Sequence, residues 1–124
     1  MTKEEKQLLL IDLCARLPYG VIVKENDGVN ENDNKLLDID MFDGCINYDY
    51  IIEDIKPYLR SMESMTDEEQ RTLNSMCYGV EMVSRLSGLK MFNKAFDWLN
   101  ENHFDYRGLI PIGLALEAPD GMYK

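Results

Sequence analysis

The same four-residue helix start occurs twice in this chain, as Thr2-Lys3-Glu4-Glu5 and as Thr66-Asp67-Glu68-Glu69. In each, the threonine hydroxyl can accept from the amide three residues on while the glutamate returns to the threonine amide. The spacing therefore predicts a capping box at two fixed points. Behind the first box Leu10, Leu13, Cys14 and Leu17 recur at helical intervals, with Leu9 broadening the stripe. Pro18 and Tyr19-Gly20 close that helix. Behind the second box Leu73, Met76, Cys77, Val80 and Val83 form another stripe, weakened inside by Gly79.

The residues between the boxes have a different period. Gly20 to Val23 is rich in β-branched residues and predicts a short strand. Residues 24–35 hold Asn26, Asp27, Gly28, Asn30, Asn32, Asp33 and Asn34, types that satisfy their own backbone in turns, and predict an exposed loop. Leu37, Ile39 and Met41 then alternate with Asp38 and Asp40, Asp43-Gly44 suits a tight hairpin, and Ile46, Tyr48, Tyr50 and Ile52 take one face. Three strands between about residues 20 and 52 follow, in a mostly antiparallel sheet covered by the first helix. Pro57 with residues 58–65 reads as a crossing connection. Ser87-Gly88 reads as a break before a third helix carrying Phe92, Ala95, Phe96, Trp98 and Leu99. The expected fold is α+β: an N-terminal helix, a three-stranded mostly antiparallel sheet, then two or three helices. At 124 residues this is one domain, 1–124.

The stretch 103–124 is strongly apolar. Leu109, Ile110, Ile112, Leu114, Ala115 and Leu116 are expected to pack against the third helix near Phe92, Phe96 and Leu99, with Trp98 partly protected. Pro111 and Pro119 argue against one long helix there.

Charge narrows the function classes. Thirteen basic residues face 23 acidic ones, a net −10 with both halves acidic, and no basic arm that would displace counterions from a phosphate backbone. Direct nucleic-acid binding is not expected, and neither is an anionic membrane surface. The first residues fit neither a leader peptide nor a membrane span, so a cytoplasmic protein is expected. Cys14, Cys45 and Cys77 are too widely spaced for a CxxC site, and no metal or other cofactor is expected. Asn30, Asn32 and Asn34 have the early spacing of a calcium loop. However, Lys35 stands where its glycine belongs and Met41 where its bidentate carboxylate belongs. No phosphate-binding glycine loop and no nucleophile elbow is present.

The candidate contact residues are Tyr58, Arg60, His103, Asp105, Tyr106 and Arg107. His103 is the one histidine, flanked by Glu101 and Asp105, which can orient an imidazole or share a metal; the alternative is a cap on the third helix. Arg107 can bind a carboxylate with two prongs, either on a ligand or on the protein, where it would fasten the tail. Tyr58 and Arg60, around Lys56-Pro57, pair an aromatic ring with a guanidinium in the same way.

The blocks DLCARLPYGVIV (12–23), DIKPYLRSMESMTDEE (54–69) and WLNENHFDYRGLIPIGLALEAPDGMYK (98–124) resemble a family. It is the small uncharacterised proteins of Bacteroides-type gut bacteria, often encoded near phage-like or mobile genes. That resemblance implies a phage-related accessory or regulatory protein and carries over no functional residue. The residues lean towards a non-enzymatic protein-interaction or regulatory accessory protein, with a protein as partner and the oligomeric state open. One rival is a small enzyme or ligand-binding domain built on residues 103–107. Another is an acidic mimic of nucleic acid.

Overall fold

The computed structural model describes residues 2–25, 34–37, 55–77 and 85–123. The fold is α+β, with an N-terminal helix, a central mixed sheet and two later helices.

Helix α1 spans Lys3–Arg16, and its capping box forms: the Glu5 amide donates to the Thr2 hydroxyl at 3.1 Å and the Thr2 amide to the Glu5 carboxylate at 3.3 Å. The buried face is Leu9, Asp12, Leu13 and Arg16, not the expected face centred on Leu10 and Cys14; Cys14 is exposed. The stripe is displaced because two of its positions hold opposite charges that pair with each other, which a count of apolar residues cannot register. Pro18 lies in a single tight turn at Leu17–Tyr19, and Gly20 turns the chain at φ 74°.

Strand β1 (Ile22–Glu25) pairs antiparallel with β2 (Asn34–Leu36) and on its other side with β3 (Ile55–Leu59). Two residues at each end of the expected loop thus belong to strands: 24 and 25 to β1, 34 and 35 to β2. Strand β3 runs parallel to β4 (Leu116–Glu117), giving the order β2-β1-β3-β4. The expected crossing connection at Pro57 is therefore a central strand. Ile55, Pro57 and Leu59 are buried and alternate with half-buried Lys56 and Tyr58, and the ladder to β4 begins only at Tyr58, past the residue that lacks an N–H. The expected strands at 37–41 and 46–52 fall mostly or wholly outside the described residues.

Helix α2 (Asp67–Cys77) starts at the second capping box, where the Glu69 amide donates to the Thr66 hydroxyl at 3.1 Å. Helix α3 spans Arg85–Glu101, so Ser87-Gly88 lies inside it and Gly88 is buried. Beyond α3 the chain turns back over the sheet. Leu109, Leu114 and Ala115 join Leu9, Leu13, Val21, Val23, Leu37, Ile55 and Leu59 in one apolar cluster, with Ile110 packed against it. The apolar residues of the tail therefore pack on α1 and the sheet; Phe92 and Ile112 are exposed, and half-exposed Phe96 meets the tail at the Tyr106 ring, 5.2 Å away between centroids. Among the described residues no helix is long and apolar enough to cross a membrane.

Candidate functional site

The six sequence candidates gather where β3, the end of α3 and the tail meet, and the fold uses their polar groups. Helix α3 ends with His103 in the left-handed region at φ 64°. The Phe104 amide reaches the Leu99 carbonyl at 2.9 Å and the His103 amide that of Asn100 at 3.1 Å, the two bonds of a Schellman stop. Phe104 stacks on Trp98, supplying the apolar contact that accompanies this motif. The position usually belongs to glycine; here the histidine ring lies buried and stacked against Tyr123.

Burial, with the positive charges of Arg16 and Arg60 behind it, pushes the His103 imidazole down to about 4, so the ring is neutral near pH 7. Its Nδ1 has no hydrogen-bond partner among the described residues. The expected partnership with Asp105 does not form. That carboxylate accepts from the Leu109 amide at 2.8 Å and the Ile110 amide at 2.9 Å, shaping the turn that starts the tail.

Arg60 follows β3 and bonds the tail through its backbone: its amide donates to the His103 carbonyl at 2.7 Å and its carbonyl accepts from the Asp105 amide at 2.8 Å. Its guanidinium lies 4.2 Å above the Phe104 ring and makes two bonds to Glu69, 2.8 and 2.7 Å. Those bonds hold the Glu69 carboxyl down to about 2, against a smaller desolvation effect. Tyr58 contributes its carbonyl, which accepts from the Tyr123 hydroxyl at 2.7 Å.

Arg107 fastens the tail to α1. Its Nε donates to Asp12 at 3.2 Å and its Nη2 to the Tyr106 hydroxyl at 2.9 Å, while Tyr106 donates to Asn100 at 3.1 Å. Asp12 also accepts from Arg16 Nε at 2.9 Å, and Arg16 donates a further bond to the Phe104 carbonyl at 2.6 Å. Sequence reading missed Asp12, Arg16, Glu69 and Tyr123. Asp12 and Arg16 did carry a signal, opposite charges four apart on a helix, whereas Tyr123 had no local one.

Among the described residues, a cleft and a helix face are open. A cleft of about 380 Å³ lies between the start of α2 and the tail, with Arg60, Glu69, Asp120 and Tyr123 among its walls. Along α3, Leu89, Phe92 and Phe96 are 66%, 43% and 47% exposed. Steps of three and four residues put them on one face of the helix. Among the described residues no three His, Cys, Asp or Glu side chains are placed to hold a metal ion. Comparison of the chain with protein-family models, curated proteins and solved structures finds no match.

Proposed function

We propose that this protein is a non-enzymatic interaction protein that presents α3 to a protein partner. The observation that carries the reading is the stripe Leu89-Phe92-Phe96, three large apolar side chains partly open to water on one helix face, with Phe96 also against the Tyr106 ring. Scattered surface leucines need no explanation, but aligned aromatic residues match the anchor pattern by which helices dock. The polar groups at residues 103–107 support the same reading. Apart from the His103 imidazole, whose Nδ1 has no partner among the described residues, they are committed to closing the fold, which leaves little for a reaction to use.

The partner's chemistry follows from the rim. Lys90 is exposed about 100° round the helix from Leu89, and residues 85–96 contain no acid, a local reversal in a chain of net charge −10. A fitting partner has an apolar surface bordered by carboxylates. The test places a photo-activated cross-linking residue at position 92 in the native cell. A discrete protein adduct that weakens with Lys90→Glu is expected; absence of any protein adduct would overturn the proposal.

A second reading, binding of a small polar ligand, has one observation in its favour, the cleft beside Arg60 and Tyr123, which is of ligand-pocket size. Fragment screening by nuclear magnetic resonance tests it. Shifts clustered at Glu69, Asp120 and Tyr123 would support it, and none at millimolar fragment would remove it.

A further inference from the structure

We infer that Asp120-Gly121 is a site of self-modification, where the peptide link migrates from the main-chain to the side-chain carboxyl of Asp120, and that this change loosens the tail. Asp120 is exposed, and its carboxylate has no hydrogen-bond or ionic partner among the described residues. Gly121 has no Cβ to hinder an approach to its nitrogen, and its amide makes no hydrogen bond among the described residues. The two residues are the centre of a tight turn. The Met122 amide closes it on the Pro119 carbonyl at 3.1 Å, and Gly121 takes the left-handed position at φ 81°.

The other described aspartates lack this combination. Asp12 and Asp105 are buried, with both carboxylates bonded. Asp67 and Asp97 lie in α2 and α3 and precede Glu68 and Trp98, whose side chains crowd the next nitrogen.

The chemistry needs only water. The Asp120 carboxylate takes up a proton from solvent. The Gly121 nitrogen bonds to Cγ, and the carboxyl hydroxyl leaves with the proton of that nitrogen as water, which closes a five-membered imide. Water then adds to the main-chain carbonyl carbon of Asp120 and its bond to nitrogen breaks, the nitrogen recovering its proton. The old main-chain carbonyl becomes the free carboxylate, and the chain now runs through Cβ and Cγ. One water leaves and one enters, so the mass is unchanged.

The new link adds one bond of about 1.5 Å to the chain path. It does so between two anchors. On one side the Ala118 amide donates to the Leu59 carbonyl at 2.7 Å; on the other the Tyr123 hydroxyl is held by the Ile22 amide and the Tyr58 carbonyl. The bond from Met122 to Pro119 spans the altered link and loses its geometry, and Tyr123, one residue on, loses its fixed approach to the strands.

The test keeps the full chain in warm neutral buffer for weeks and digests samples for mass spectrometry. A second peptide of unchanged mass should grow with time, with fragments from electron transfer that place the altered link at residue 120. Asp120→Glu needs a six-membered ring, which closes far more slowly, and should stay a single species. The urea midpoint should fall in the wild type as conversion proceeds and stay constant in Asp120→Glu over the same period. A wild-type chain that remains a single species at residue 120 overturns the site. Conversion with a midpoint that tracks Asp120→Glu overturns the loosening of the tail.

Discussion

The rings of His103 and Tyr123 lie face to face, 3.7 Å apart at their centroids and 20° from parallel. This stack places the Tyr123 hydroxyl between two strands, where it accepts from the Ile22 amide at 2.8 Å and donates to the Tyr58 carbonyl at 2.7 Å. Ile22 and Tyr58 are the next pair beyond Val23 and Pro57 in the β1–β3 register. The tail thus supplies a rung of the ladder. Tyr123→Phe keeps the ring but leaves a strand amide and a carbonyl without their partner, and should cost about 1–3 kcal/mol. Urea unfolding followed by circular dichroism measures it; an unchanged midpoint would mean that the tail does not anchor the sheet.

Acid should weaken the fold in two successive steps. His103 titrates at about 4 folded against 6.5 ordinarily, so between those values the unfolded chain holds more protons. Its contribution is complete above pH 6.5 and is lost as pH falls towards 4, by at most about 3 kcal/mol. Glu69, at about 2 against 4.5, contributes fully above pH 4.5 and loses its contribution as pH falls towards 2. His103→Asn, which tolerates the left-handed backbone, should flatten the upper step, and Glu69→Gln the lower. Stability measured by urea unfolding at half-unit pH intervals separates the two. A slope between pH 6.5 and 4.5 unchanged in His103→Asn would refute the assignment.

Cys14 should react with a small alkylating reagent in the folded protein, and faster than half-buried Cys77. Peptide mapping by mass spectrometry after a short exposure assigns the label. Protection of Cys14 until urea is added would contradict the observed orientation of α1.

Where structure follows from neighbours in sequence, the sequence was readable. Both Thr-x-x-Glu boxes form because their bonds span three residues, and α3 follows its apolar period. Pro57 was misread because its missing donor is a local fact, whereas the harmless place it takes in β3 depends on where β4 joins, some 60 residues later. The burial of Leu109, Leu114 and Ala115 could be anticipated from apolarity alone, but not their packing against α1 and the sheet. The same limit holds at the candidate site. Arg107 is legible as a fastener of the tail, but Asp12, 95 residues earlier, is found as its anchor only in three dimensions.

Asp12 is expected to be the most costly member of this network to remove. It has no exposed surface and binds two guanidinium groups, that of fully buried Arg16 and that of partly exposed Arg107. Removing the carboxylate leaves Arg16 as a buried charge without its counterion, so Asp12→Ala should destabilise by about 3–5 kcal/mol. Arg107→Ala opens only the solvent side and leaves the Asp12–Arg16 pair in place, so about 1 kcal/mol is expected. Removing the buried pair as a whole is different. Asp12→Leu with Arg16→Met takes away both charges and fills the space with apolar atoms, so the double variant should be more stable than Asp12→Ala alone. Arg107 would then lose its anchor while keeping access to water, a small penalty that Arg107→Ala in the same background should no longer change. Urea unfolding of the four variants forms the cycle. If Asp12→Ala costs no more than Arg107→Ala, the buried pair does not hold α1 to the tail, and the apolar cluster alone closes this side of the fold.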